Sequence, residues 1–183
     1  MRIIGGKHKG RKLISSKVKN LRPTANRVKE ALFNIIQNDL AGSYFLDLFS
    51  GTGNIGIEAI SRGAKVTFCD NNIQLIKIIK ANLDLTKEPA EILNLDAFDC
   101  IRFLYNKNRK YDFIFIDPPY QYNCEEEILQ TLLKYPIMNR NSKIIIEHST
   151  KKDFVFDQNY YKIINIKKYG DTQLTFFSFT EFI

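Results

Sequence analysis

The segment "FLDLFSGTGNIGIEA", residues 45–59, constrains the fold of this chain most strongly. An apolar run typical of a buried strand precedes three glycines spaced G-x-G-x-x-G, and a helical pattern follows them. In that setting Gly51 permits a tight turn, Gly53 a close approach to a ligand, and Gly56 packing of the helix against the strand. Asp70 ends the next predicted strand, where a carboxylate can accept hydrogen bonds from ribose hydroxyls. This order of strand, glycines, helix, strand and acid predicts a crevice that binds an adenosine-type cofactor. The glycines alone leave open whether the cofactor is NAD or S-adenosylmethionine.

Alternating helical and strand patterns continue through the chain and predict a Rossmann-like α/β domain with a mostly parallel seven-stranded sheet. Predicted helices occupy about 54–62, 72–83, 95–105 and 125–135, after a first helix capped by Thr24. Predicted strands occupy about 44–49, 65–70, 90–94, 111–117 and 143–148. The last segment, 161–179, predicts a hairpin turning at Gly170 and Asp171, and directly joined strands must be antiparallel.

The basic residues are concentrated at the N-terminus. The net charge is +7, yet residues 1–29 carry ten Lys or Arg and no acid, so the other residues sum to −3. Such asymmetry favours a polyanion-binding extension over residues 1–23, attached to a domain over 24–183. The pattern "RIIGGKHKGRKLIS" indicates a hairpin, although a solvated, disordered tail is the alternative. Basic side chains of the first helix, including Lys29, are expected to project away from its core face.

Length and composition limit the class of protein. A chain of 183 residues, 44% of them hydrophobic, suits one domain with a single core. No apolar run approaches the roughly 20 residues that span a bilayer, and no secretory signal is evident, which predicts a cytoplasmic location. The three cysteines and two histidines follow no zinc or disulfide pattern, so no metal is expected. His8 is interpreted as a surface residue, and His148 as structural, with a minor substrate contact as the alternative.

A second motif, "FIFIDPPYQY", brings an acid, two prolines and an aromatic ring to the end of an apolar strand. "DLFSGTG" resembles the first motif of class I S-adenosylmethionine-dependent methyltransferases, and Asp117 to Tyr120 match their motif for exocyclic amines. The lone pair of a base amine is delocalised, and a carboxylate at Asp117 and the carbonyl of Pro118 can each accept one of its N–H groups. Pro119 fixes the turn, and Tyr120 can stack on a flipped base. The resemblance favours S-adenosylmethionine over NAD.

Several further segments resemble the RsmD family, namely "RIIGGKHKGRKL", "LRPTANRVKEALFNII", "DFIFIDPPY" and "KKYGDTQLTFF". The family methylates the N2 amine of a guanine in bacterial 16S ribosomal RNA. The resemblance implies that this chain is an enzyme acting on 16S RNA or the assembling small subunit. We further expect a monomer that uses neither a membrane nor a metal. The cofactor residues it implies are Asp47, Gly51, Thr52, Gly53, Asp70, Asn71, Asp96 and Ala97, with Asp99 as an alternative to Asp96. Expected RNA contacts are Lys7, Lys9, Arg11, Lys12, Arg22, Thr24 and Arg27.

Two other functions share part of this pattern. A DNA adenine-N6 methyltransferase would use the same Asp-Pro-Pro-Tyr chemistry, but 183 residues leave little room for a separate recognition domain. A non-catalytic RNA-binding module would explain the basic extension but would leave the glycine loop and Asp117 without a role.

Overall fold

The computed structural model describes residues 1–15, 26–119 and 121–180 of the chain. Along these residues five helices alternate with seven strands, as the sequence patterns predicted. The helices are α1 (Asn26–Leu40), α2 (Asn54–Ser61), α3 (Ile73–Thr86), α4 (Ala97–Asn106) and α5 (Glu125–Lys134). The strands are β1 (Tyr44–Leu48), β2 (Lys65–Cys69), β3 (Glu91–Leu93), β4 (Tyr111–Ile116), β5 (Met138–Ser149), β6 (Tyr161–Tyr169) and β7 (Thr172–Phe179).

The seven strands form one sheet in the order β3-β2-β1-β4-β5-β7-β6. Pairing is parallel from β3 to β5, whereas β7 lies antiparallel between β5 and β6. The predicted Rossmann-like sheet with a closing antiparallel hairpin is therefore confirmed. Because the strand order reverses between β1 and β4, the carboxyl ends of these two strands border a crevice in which ligands bind in such sheets.

Apolar residues on both faces of the sheet build two buried clusters. Strand β4 contributes to both, since Phe113 and Phe115 belong to the cluster on the side of α1, α2 and α3, while Ile114 and Ile116 belong to the cluster with α4 and α5. An interior parallel strand covered by helices on both faces requires this continuous apolar run.

Residues 1–15 form a hairpin, called here the N-terminal hairpin, in which Arg2 pairs antiparallel with Lys12. Its turn contacts the end of α2, where Lys7 N donates to Ser61 O at 2.8 Å. Gly6 has a φ of 72°, and a Cβ at this position would lie 1.9 Å from the Ser61 carbonyl oxygen, so glycine allows the close approach. The predicted hairpin is confirmed for these residues, and a structureless tail is wrong for them.

Lys29 corrects the expectation that the basic residues of α1 project away from its core face. The side chain is fully buried, and its ammonium lies 3.4 Å from Glu58 Oε2 of α2. Burial lowers the pKa of Lys29, and the Glu58 carboxylate opposes this effect in part. Lys29 is therefore unavailable as a phosphate contact.

Some boundaries differ from the predicted ones. Helix α3 continues to Thr86, and the left-handed conformation of Lys87 (φ 57°) then ends it. Strand β5 begins at Met138, because Met138 pairs with Tyr111 of β4 before an irregularity in the register between Tyr111 and Phe113. The predicted cap Thr24 and the predicted domain boundary after residue 23 lie outside the described residues. None of the helices in the described part of the chain is long and apolar enough to cross a membrane.

Candidate active site

Three acids lie at the carboxyl ends of the strands that border the crevice. Asp47 is in β1, Asp70 directly follows β2, and Asp117 directly follows β4. Since β1 lies between β2 and β4, the fold brings together three residues that are far apart in sequence.

The loop of residues 49–54, called here the cofactor loop, depends on unusual backbone conformations. Gly51 and Gly53 have φ values of 57° and 78°, which suit glycine, and Phe49 has a φ of 67°. A Cβ at Gly56 would lie 2.2 Å from Cε1 of Phe68, so this glycine permits the packing of α2 on β2. A Cβ at Gly53 would lie 3.2 Å from Cδ1 of Ile57, so Gly53 also packs closely within the protein.

Ser50 joins the ends of β1 and β2 below the cofactor loop. Its hydroxyl lies 2.6 Å from the carbonyl oxygen of Asp47 and accepts the N–H of Cys69 at 2.9 Å. Ser50 N in turn donates to Cys69 O at 2.9 Å. These contacts fix where the cofactor loop leaves the sheet.

Asp70 holds the loop from the side of β2. Its Oδ2 accepts the Gly51 N–H at 2.8 Å, and its Oδ1 accepts the Asn72 N–H at 2.9 Å. Burial raises the pKa of Asp70, and these two N–H donors oppose the rise. Each carboxylate oxygen has a second lone pair, so both retain the capacity to accept a hydroxyl hydrogen.

Asp47 is almost completely buried in β1. Its Oδ2 accepts the N–H of Gly56 at 2.8 Å, which ties β1 to the first turn of α2. Burial raises the pKa of Asp47 to about 7; the Gly56 N–H opposes this, and the charges of Asp117 and Asp70 add to it. Asp47 therefore changes protonation near neutral pH.

The acids after β3 lie at the start of α4. Asp96 is the N-cap of α4 and its Oδ1 accepts the N–H groups of Phe98 and Asp99, both at 2.9 Å. Asp99 is exposed and forms an ion pair with Arg102 at 2.5 Å. Ala97 is buried, whereas Asn71 near the end of β2 is exposed. The choice between Asp96 and Asp99 as the adenine contact stays a prediction.

The Asp-Pro-Pro segment continues directly from β4. Asp117 is half-buried, Pro118 is buried, and Pro119 is exposed. The carbonyl oxygen of Pro119 accepts the N–H of Tyr122 at 2.7 Å, which forms a turn. Tyr120 lies outside the described residues.

The predicted RNA contacts are divided between the N-terminal hairpin and the start of α1. Lys9, Arg11, Lys12 and Arg27 are exposed. Lys7 forms an ion pair with Glu88 at 2.6 Å, so its charge is partly neutralised within the protein. Arg22 and Thr24 lie outside the described residues.

Both histidines have partners in the protein. His8 Nε2 lies 3.0 Å from Glu88 Oε1, and the buried His148 Nε2 lies 2.9 Å from Thr175 Oγ1. Within the described residues, no group of three or more His, Cys, Asp or Glu side chains could hold a metal ion.

Sequence reasoning missed a buried polar layer behind the cofactor loop. Asn82 of α3 donates to Thr52 O at 3.1 Å, and Lys29 of α1 donates to Asn54 Oδ1 at 3.0 Å. The sequence did contain a signal for the burial of Asn82. Asn82 follows Ile79 by three positions, which places this polar residue on the apolar, buried face of α3.

These residues fit S-adenosylmethionine. The positive-φ glycines form a loop at the N-terminus of α2, and Asp70 retains acceptor capacity for ribose hydroxyls beside that loop. Asp96 and Ala97 begin α4 at the next strand end, on the side predicted for the adenine.

Comparisons with known proteins agree with this arrangement. The model of the family described as "Conserved hypothetical protein 95" matches residues 1–178. The chain is 35% identical to "Ribosomal RNA small subunit methyltransferase D" of Haemophilus influenzae, over 87% of this chain and 84% of the relative. It is 34% identical to the Buchnera aphidicola (subsp. Acyrthosiphon pisum) protein of the same name, over 86% and 83% of the two chains. The solved structure "Putative methyltransferase yhhF from Escherichia coli" superimposes with a TM-score of 0.86 at 28% identity and covers 98% of both chains. The chain therefore belongs to the family described as conserved hypothetical protein 95, the RsmD family that its sequence resembles, and is a methyltransferase with the class I fold.

Proposed function

We propose that this protein methylates the exocyclic N2 amine of a guanine in 16S ribosomal RNA. The observation that carries the proposal is the position of Asp117-Pro118-Pro119 at the end of β4, next to β1 and its cofactor loop. The two relatives described above are named as small-subunit ribosomal RNA methyltransferases, which supports this RNA as the substrate.

Asp70, the cofactor loop and the start of α4 would hold the cofactor. When bound, S-adenosylmethionine supplies a methyl group activated by a positively charged sulfur. Asp70 would orient the ribose, and the N–H groups at the start of α2 favour negatively charged groups such as the methionine carboxylate. The loop is held by internal hydrogen bonds and therefore requires little reorganisation on binding.

The Asp-Pro-Pro segment would hold the amine. The Asp117 carboxylate and the Pro118 carbonyl would each accept one N–H, which favours a pyramidal nitrogen as it gains positive charge. Asp117 can also take the proton that the nitrogen releases. Pro119 restricts the turn, and Tyr120 would stack on the face of the base.

The basic surface would bind the RNA backbone. Lys9, Arg11 and Lys12 are exposed on the N-terminal hairpin, and Arg27 is exposed at the start of α1. Phosphate contacts of this kind give affinity and register, whereas the base is selected in the crevice.

The direct test is methylation in vitro. Small ribosomal subunits from bacteria lacking the gene would be incubated with the protein and S-adenosylmethionine, and nucleosides from the RNA would be identified by mass spectrometry. We expect N2-methylguanosine. A double-stranded DNA substrate run in parallel should gain no methyl group; N6-methyladenine in DNA would favour the alternative of a DNA methyltransferase. RNA that binds but gains no methyl group would favour the non-catalytic module.

A further inference from the structure

The N-terminal hairpin contacts the cofactor loop through Asn82, a buried residue of α3. Its Oδ1 accepts the N–H of Ile14 at 2.7 Å, and its Nδ2 donates to the carbonyl oxygens of Ile14 and Thr52, both at 3.1 Å. One planar amide therefore binds the backbone of the hairpin and the backbone of the cofactor loop at the same time.

A second connection is centred on the buried ammonium of Lys29. It donates to Arg2 O of the hairpin at 2.7 Å and to Asn54 Oδ1, at the end of the cofactor loop, at 3.0 Å. Its ion-pair partner Glu58 accepts the N–H of Ile4 through Oε2 at 2.8 Å. Both strands of the hairpin are therefore joined to residues 52–58.

These polar groups stabilise the docked hairpin because each has its full set of partners only while the hairpin is in place. If the hairpin detached from the rest of the domain, Asn82 would lose its hydrogen bonds to Ile14, and Lys29 would lose its hydrogen bond to Arg2 O. Loss of hydrogen-bond partners by buried polar groups costs free energy. The side chains that hold Thr52 and Asn54 would then be free to shift. A docked hairpin and an ordered cofactor loop thus favour each other.

We propose that Asn82 and Lys29 are positioning residues that couple the N-terminal hairpin to the cofactor loop, so that RNA and S-adenosylmethionine assist each other's binding. This inference rests on the proposed function in taking RNA as the ligand of the hairpin. Coupling of this kind is reciprocal, and it is largest when the binding-competent state is only partly populated. In the wild-type protein the intact contacts keep the hairpin docked, so RNA changes the affinity for S-adenosylmethionine only slightly. When the contacts are weakened, the hairpin is docked in only part of the molecules, and RNA then has a larger effect on that affinity.

Replacing Asn82 gives the sharpest test. We expect Asn82→Ala to bind S-adenosylhomocysteine about tenfold more weakly than wild type by titration calorimetry, within the usual range of coupling between sites. A saturating short single-stranded RNA at low salt should restore part of the affinity, because the RNA repopulates the docked state, in which Lys29 still joins Arg2 to Asn54. Residues that only stabilise the fold would not give this rescue.

Thr86→Ala is the matched control. Thr86 is buried on the same helix, but its hydroxyl donates to Leu83 O at 2.9 Å and forms no hydrogen bond with the described residues of the hairpin or the loop. The affinity of Thr86→Ala for S-adenosylhomocysteine should equal that of wild type, both with and without RNA. If Asn82→Ala shows no loss, or a loss that RNA leaves unchanged, the coupling is refuted.

Hydrogen exchange in the wild-type protein tests the same coupling without a substitution. Adding S-adenosylhomocysteine should slow exchange of the Ile4 and Ile14 amides, whose acceptors are Glu58 and Asn82. The Tyr135 amide, which donates to Thr131 O in α5, should exchange at an unchanged rate. Unchanged exchange at Ile4 and Ile14 in the ligand-saturated protein would overturn the inference even if Asn82→Ala fails to fold.

The two proposals fail in different ways. A wild-type protein that binds S-adenosylhomocysteine but no RNA would contradict the proposed function, while the exchange measurement would still decide whether hairpin and loop are coupled. A wild-type protein that binds both ligands, with no rescue in Asn82→Ala, would contradict the coupling alone.

Discussion

At the scale of single residues, Asp70 combines two tasks. Its two carboxylate oxygens already accept the N–H groups of Gly51 and Asn72, and the sequence pattern assigns the ribose hydroxyls to the same group. A carboxylate has enough lone pairs for both tasks, whereas most other side chains do not. Replacing it should therefore affect both the loop and the ligand.

We expect Asp70→Ala to weaken S-adenosylmethionine binding by about 1.5–3 kcal/mol, the usual contribution of hydrogen bonds to a charged group. Titration calorimetry measures this loss directly. Asp84→Ala is the control, because Asp84 is exposed on α3 and has no predicted role in the cofactor site. Equal affinity in Asp70→Ala and wild type would remove Asp70 from the cofactor site.

Asp117 should affect the rate of methyl transfer and leave cofactor affinity unchanged. Asp117→Ala should lower the single-turnover rate by about 10²–10³, the scale of one lost transition-state hydrogen bond. Asp117→Asn keeps an acceptor oxygen and should retain more of the rate than Asp117→Ala. A wild-type rate in Asp117→Ala would refute the amine-holding mechanism.

Asp47 should make stability depend on pH. Its folded pKa, about 7, is raised above the ordinary value of 3.8, so between these values the folded state binds more protons than the unfolded state. The free energy of unfolding should then fall as pH rises, by about 1.4 kcal/mol per unit from this group, and level off above pH 7. Urea unfolding of wild type and Asp47→Asn between pH 4 and pH 8 measures the difference. Parallel pH profiles for the two proteins would contradict the raised pKa.

At the scale of elements, the N-terminal hairpin divides its basic residues between structure and surface. Lys7 pairs with Glu88, and the backbone of the turn is hydrogen-bonded to Ser61, whereas Lys9, Arg11 and Lys12 are exposed. The exposed residues are therefore the ones whose charge can be altered without disturbing the docked turn.

Charge reversal at Lys9, Arg11 and Lys12 should weaken RNA binding and its dependence on salt. If about four to six wild-type side chains contact phosphate, a plot of log K against log[salt] should have a slope of about −3 to −5. In the variant the slope should be less steep by about 2 to 3. The control reverses three exposed lysines of the far edge strand β6: Lys162, Lys167 and Lys168. Equal salt slopes in wild type and the hairpin variant, with unchanged circular dichroism, would rule out the hairpin as the phosphate contact.

The elements themselves could be predicted because their patterns are local. The apolar run of β4, the glycines after β1 and the Gly170 turn each specify their structure within a few residues. The burial of Lys29 could not be predicted, because it depends on Glu58 of another helix and on the backbone of Arg2. Asn82 was missed for the same reason, since its partners lie 30 and 68 positions away.

At the scale of the whole molecule, the sheet order explains why the two predicted motifs form one site. The cofactor loop follows β1, and the Asp-Pro-Pro segment follows β4. These two strands are 63 or more positions apart in sequence, but they are paired in the sheet. The N-terminal hairpin packs behind the same loop and presents its basic residues at the surface. Cofactor, base and RNA backbone are thereby assigned to neighbouring parts of one domain.

The central claim is that this protein modifies one guanine of 16S ribosomal RNA, and the most direct measurement maps methylated nucleotides in that RNA from cells lacking the gene. Deletion should remove N2-methylguanosine at one position, and expression of the wild-type protein should restore it, whereas expression of Asp117→Ala should not. An RNA with the same methylated nucleotides in the presence and absence of the gene would contradict the claim, as would the loss of a methyl group from adenine instead of guanine.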